Sequence, residues 1–305
     1  MTKHVGRGFG SGEALRGAGD GFSRRSFLAM SAMAPFALGG AEAIATLAPA
    51  PAIPVGLELY SVREGLKKDL DGTVKAVAGM GYQCVEFYAP YWEWSEQQTK
   101  DVRKLIDDLG VKCYSTHNAS SYVSKENIGK TRDRCGILGC KYVVVASTDV
   151  EGQGIDGWRK FADVLNEANE GLSTAKMHSG YHNHKAEFVG IDGVRPMEVL
   201  AKNTKPTVML QLDVGTCLEA GSDPVAWIKA NPGRIRSLHL KDWSPDAEKG
   251  YTVLFGEGAA DWKAIFAAAE HGGGVEYYLI EQEGSRMSEL DTARECLKTY
   301  RKMRG

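Results

Sequence analysis

His182, Asp213, His239 and Glu281 each close a short apolar run, and 31, 26 and 42 positions separate them in turn. An ionic side chain buried at the end of such a run is costly unless it is paired or bound to a metal. Two imidazoles and two carboxylates suit a borderline divalent ion such as Mn, Fe, Co or Zn. Each residue alone has a plainer explanation. A lone histidine is commonly a satisfied core residue, and Asp213 before Val214-Gly215 could simply cap a turn. The common register of the four argues for a metal set.

Other run ends carry chemistry too. Glu58 and Tyr60, Glu86, His117, His184, Lys241 with Asp242, and Glu283 all occupy such places, and four of the seven histidines are among these ends. Removing a proton next to a carbonyl needs a positioned base and stabilisation of the developing negative charge. A metal meets the second need as a Lewis acid. Glu281 or His184 could be the base. Lys241 could hold an oxyanion or a hydroxyl, or could instead pair with Asp242. Glu58, Glu86, His117 and Glu257 are candidates for binding substrate. Trp92, Trp94 and Trp243 could stack on a ring or pack in the core or a lid.

The elements that must position these residues alternate along the chain. Strands are expected at 55–60, 83–88, 111–116, 141–146, 177–182, 207–213, 235–240 and 276–281. Helical patterns lie near 68–80, 95–109, 125–139, 157–175, 193–203, 223–231, 260–271 and 288–303. Leu105, Ile106 and Leu109 show the spacing of one apolar helix face. Such alternation gives a parallel sheet with right-handed crossovers. Eight units favour closure into a single (β/α)8 TIM barrel of the α/β class, whose active site forms at the C-terminal ends of the strands. An open doubly wound sheet is the alternative, but no GxGxxG follows the first strand. Gly272-Gly273-Gly274 reads as a helix C-cap rather than a phosphate loop.

The chain has 305 residues, 43% hydrophobic and 25% charged, with net charge −2. That balance suits a large core and does not suggest nucleic-acid or anionic-membrane partners. The six cysteines include no CxxC pair and do not read as a disulfide framework, although Cys135 and Cys140 are close enough to leave a local pairing open. Residues 1–52 read as a signal peptide and linker, and 53–305 as the barrel domain. Arg24-Arg25 stands before Phe27-Leu28, an apolar stretch and small residues. The layout resembles a twin-arginine signal and implies a periplasmic or secreted protein, with no stable membrane insertion after processing.

The motifs Tyr181-His182-Asn183-His184, Leu212-Asp213-Val214-Gly215 and Leu238-His239-Leu240-Lys241-Asp242-Trp243 carry a family resemblance. So do the opening Gly56-Leu57-Glu58-Leu59-Tyr60-Ser61-Val62-Arg63 and Gly256-Glu257-Gly258 before Asp261-Trp262. Over about 55–300 the chain resembles the xylose-isomerase-like sugar isomerases and epimerases. The resemblance implies one divalent ion, Mn2+ first and Zn2+, Co2+ or Fe2+ otherwise, held at the ends of strands five to eight. It also implies a sugar or sugar derivative as substrate, and an oligomer is possible. Two departures stand out. The family commonly has Glu on strand five, where this chain has His182. Many members have His shortly after the strand-six Asp, where this chain has Thr216 and Cys217. The expected activity is that of an isomerase or epimerase. A lyase or hydratase eliminating from 3-keto-glycosides is the second reading, and a non-catalytic sugar-binding barrel the third.

Overall fold

The computed structural model describes residues 52–305. The Arg24-Arg25 segment and the apolar stretch after it lie outside the described residues. Among the described residues no helix is long and apolar enough to cross a membrane.

The first half of the described chain runs β1 (Val55–Glu58), α1 (Arg63–Lys68), α2 (Leu70–Met80), β2 (Cys84–Phe87), α3 (Glu96–Asp108), β3 (Lys112–Ala119), α4 (Ile128–Leu138), β4 (Tyr142–Ser147) and α5 (Gly154–Ser173). The second half runs β5 (His178–His182), α6 (Pro196–Asn203), β6 (Met209–Asp213), α7 (Val214–Glu219), α8 (Pro224–Ala230), β7 (Ser237–Leu240), α9 (Trp262–Ala268), β8 (Tyr277–Ile280) and α10 (Glu289–Arg304). The eight strands are parallel and close in chain order, with β8 pairing back onto β1. The fold is a (β/α)8 barrel.

Local chemistry explains where the elements begin. Ser95 and Gln98 form a reciprocal capping box that starts α3. Proline stands in the first turn of α6 and of α8, where its missing N–H costs nothing. Helix α9 runs into a π turn over Ala269–Gly273, and Gly274, at φ 84°, caps it in the left-handed region, as the glycine cluster suggests. Two short helices, α1 and α7, are additions to the expected pattern. Each is only six residues long, too short for an apolar period to show.

Two separate cores follow from strand alternation. The larger lies between the strands and the helices and includes Trp158, Leu165, Ile228 and Phe255. The smaller consists of Cys84, Tyr142, Val144, Met209, Tyr277 and Leu279 and fills the inside of the barrel. Two or four residues further along the same chain segments, on the same face, stand Glu86, Gln211, Asp213 and Glu281. The barrel is therefore apolar at its base and polar towards the C-terminal ends. Gly56 belongs to this interior, because a Cβ there would lie 2.4 Å from the Cys84 carbonyl oxygen. All six cysteines are free and buried. The local pairing left open by the sequence does not form: Cys135 Sγ contacts the Tyr91 hydroxyl at 3.2 Å, and Cys140 Sγ lies 3.6 Å from Cys113 Sγ instead.

Candidate active site

The C-terminal ends of the strands bring the four residues of the expected metal set together. The ligating atoms of His182, Asp213, His239 and Glu281 all lie within 4.8 Å of one another, and all four residues are buried. A second group, His117, His182 and His239, meets the same limit. Asp213 does two things at once. Its Oδ1 accepts from the Thr216 amide at 2.9 Å and so caps α7. Its Oδ2 is buried with no hydrogen-bond partner. A buried carboxylate oxygen without a hydrogen bond, 3.7 Å from the Lys241 ammonium and grouped with two imidazoles and a second carboxylate, belongs to a donor set that a divalent cation would satisfy.

Electrostatics favour positive charge here. His239 donates towards Glu281 Oε2 through Nδ1 and faces Glu86 Oε2 at 2.8 Å through Nε2. Burial opposes its protonation, but Glu281 and Glu86 outweigh burial and push its pKa up to about 10. Burial also opposes the ionised forms of the two carboxylates. His117 and His239 nevertheless lower Glu86, and Lys241 with His239 holds Glu281 well below the ordinary range. His182 goes the other way. Burial and the neighbouring His239 keep it well below the usual histidine value, so it is a neutral imidazole. A cluster that stabilises a proton this strongly can exchange it for a metal cation, since imidazole coordinates only when deprotonated.

Lys241 is buried beside the cluster. Its ammonium lies 3.7 Å from Asp213 Oδ2 and 3.6 Å from Glu281 Oε1, and pairs directly with Glu283. Burial works against its charge, yet these carboxylates raise its pKa further. The expected alternative, a pair with Asp242, is not formed. Asp242 instead accepts from the amides of Trp243, Gly256, Gly258 and Ala260 and from Trp262 Nε1 at 2.9–3.3 Å. This explains Gly256-Glu257-Gly258: a Cβ at Gly258 would sit 2.1 Å from Asp242 Oδ1. Asp242→Ala strands several buried donors and is expected to cost about 3 kcal/mol. That corresponds to a melting temperature lower by about 6–12 °C. A melt within about 2 °C of wild type would refute this role for Asp242.

A cavity of about 320 Å³ opens above the cluster, with Glu58, His117, His182, His184, Glu281 and Glu283 in its lining. Glu58 is fully buried there. Burial, then Glu281, raises its pKa well above the carboxylate range, and its Oε1 has no partner. Glu86 lies deeper, its carboxylate taken by His239, His117 and Gln211. Glu257 is not brought to the site. It is exposed, pairs with Arg286 at 3.0 Å and accepts from the Leu254 amide, because the loop after β7 turns away around Asp242. The three tryptophans are also elsewhere: Trp92 stacks on Tyr122, Trp94 packs against Phe87, and Trp243 is absent from the lining. Tyr60 and Tyr88 supply the aromatic edge of the cavity instead, meeting edge to face at 5.3 Å.

Gln211 is the site residue that the motifs pass over. Its Oε1 lies 2.7 Å from His117 Nε2 and 3.0 Å from His182 Nδ1, and its Nε2 donates to Glu86. A polar residue two positions before Asp213, inside an apolar run, is on the same strand face as Asp213, and that spacing is the signal for it.

Comparison with known proteins places the chain in a family. The profile of the xylose isomerase-like TIM barrel family matches residues 74–303. The chain belongs to that family. Among its relatives, the inosose dehydratase of Geobacillus thermodenitrificans is 24% identical over 226 residues, covering 61% of this chain and 74% of that protein. A sugar phosphate isomerase/epimerase from Parabacteroides distasonis superposes with a TM-score of 0.69 at 26% identity, covering 82% of this chain and 94% of that one. The IolI protein, whose crystal holds a zinc atom, superposes with a TM-score of 0.60 at 18% identity over 82% of this chain and 95% of its own, and so shares the fold.

Proposed function

We propose that this family member is a metal-dependent enzyme that removes a proton next to the carbonyl of a keto-sugar or ring ketone. In this reading a β-hydroxyl or β-alkoxyl group then leaves, as in a dehydratase or lyase. The observation that carries the proposal is the buried His182, Asp213, His239 and Glu281 cluster, on a cavity floor beside a lysine held in its charged form. When bound, a divalent ion would supply Lewis acidity towards a carbonyl oxygen.

The chain's own residues divide the remaining work. His184 lines the cavity, its ring meeting only the edge of His182, 5.0 Å away, and we assign it the base. It takes the proton from the carbon next to the carbonyl. The electron pair left behind forms the new double bond as the β carbon–oxygen bond breaks. Glu58, which lines the cavity and is held protonated by burial, gives a proton to the departing oxygen, so that water or an alcohol is released. Glu283 and Asp213 orient the Lys241 ammonium. Burial of Glu58 in its protonated form makes it a hydrogen-bond donor to a substrate hydroxyl.

The inosose dehydratase relative supports elimination, and the Parabacteroides isomerase/epimerase supports proton return to a neighbouring carbon as the second reading. Incubation of the metal-supplied protein in deuterated water with inosose, free ketoses and 3-keto-glycosides separates them. Deuterium exchange with release of water or aglycone is the expected result. Exchange with aldose–ketose conversion would favour the isomerase, and binding with no exchange on any substrate would leave the non-catalytic barrel. The twin-arginine export route is likewise our proposal; normal export of an Arg24→Lys, Arg25→Lys precursor would reject it.

A further inference from the structure

We infer that the cavity takes uncharged carbohydrates and rejects their phosphate esters, with Glu283 as a main selectivity element. The inference rests on the carbohydrate reading above and narrows its substrate class. Phosphate recognition needs cationic side chains or free backbone amides gathered at one point. Among the described residues, no lysine or arginine lines the cavity, whereas Glu58, Glu281 and Glu283 do. The neighbouring cations are already matched. Lys241 is buried among Asp213, Glu281 and Glu283. Arg63 donates to the carbonyls of Tyr60 and Glu283 at 2.8 and 3.0 Å, and Lys185 pairs with Glu219.

Backbone amides tell the same story. Barrels of this type frequently hold phosphate in the loops after strands seven and eight, at a helix N-terminus. After β7 of this chain, the Asp242 carboxylate itself occupies the nest of amides from Trp243, Gly256, Gly258 and Ala260. The N-terminus of α9 is closed by Asp261 and that of α10 by Ser288, with Glu289 and Asp291 in the first turn. After β8 stands Glu283, with its side chain 42% exposed at the mouth. The places where an ester phosphate would be gripped are filled by the chain's own carboxylates. A divalent ion at the cluster does not reverse this, because Asp213 and Glu281 match its charge within the donor set.

The test is calorimetric titration of the metal-supplied protein with matched pairs, D-fructose against its 6-phosphate and myo-inositol against its monophosphate. Like charges brought together cost several kcal/mol, partly screened at an open mouth. The neutral member is expected to bind about tenfold tighter or more in any pair that binds. A phosphate ester that binds as tightly as its neutral partner overturns the inference. Failure of every member of both pairs counts against the carbohydrate reading itself, and the inference falls with it. Glu283→Lys is expected to bring the ester level with the neutral sugar. Glu283→Gln, which keeps the shape and removes the charge, should narrow the gap about threefold even if the lysine variant does not fold. A wild-type preference unmoved by the folded variants would remove Glu283 from the selectivity role.

Discussion

Asp213→Asn is expected to fold with α7 intact and to lose the bound ion. The reason is the division of labour between the two oxygens of this side chain. Oδ1 caps α7 through the Thr216 amide, and an asparagine oxygen does this equally well. Oδ2 has no hydrogen-bond partner, faces His182 Nε2 at 3.9 Å, and loses its charge in the variant. Disturbing the partners around a metal already costs about 10–100-fold in affinity. Removing a charged ligand should exceed the upper figure, and catalysis should fall about a thousandfold, the upper end for losing one electrostatic contribution. Asp213→Ala should lose the ion as well but also uncap the helix, costing about 1 kcal/mol more. Elemental analysis and thermal melts on both variants check this. Full metal occupancy in Asp213→Asn would remove Asp213 from the ligand set.

That dual role illustrates how much of the site is legible in the sequence. The turn-capping reading of Asp213 and the metal reading look like rivals in one dimension, and the folded side chain supports the first while leaving an oxygen for the second. The strand ends are legible because a parallel barrel needs apolar runs, and a charged residue that closes one stands out. Glu257 is misplaced by the same reasoning, since it belongs to a loop rather than a strand, and Asp242 decides where that loop goes. Lys241 and Asp242 are neighbours in sequence but face opposite ways, one into the barrel and the other out to the loop amides. Gln211 escapes notice because an uncharged amide draws no attention in an apolar run. His182 and Ser237 meet it from the adjacent strands β5 and β7, but Glu86 on β2 and His117 on β3 reach it across the barrel, contacts that only closure creates.

His182→Glu is expected to change the type of reaction. A carboxylate at this place would stand with Glu281 in the cavity lining, and the resemblance to sugar epimerases implies that such a pair acts as two bases, one for each face of a carbon. The wild-type residue cannot serve that way. Burial and His239 keep it neutral, so one ring nitrogen carries the proton and the other the lone pair. Its Nδ1 lies 3.0 Å from Gln211 Oε1, an atom that only accepts, which assigns the proton to Nδ1. The lone pair on Nε2 then points towards Asp213 and the cluster. Once that pair is given to a cation it is no longer free to take a proton from carbon. A base acting from one side can let a β-substituent leave, or return the proton to a neighbouring carbon. Inverting a single carbon needs a second group on the opposite face. Wild type should therefore give exchange and elimination with inversion near background. His182→Glu supplies the missing carboxylate and should raise inversion by about a hundredfold, the low end of what a positioned base contributes. Product analysis by NMR in deuterated water, with metal content measured in parallel, follows both. Inversion by the wild-type protein as its main reaction would show that a second base acts from a place other than β5.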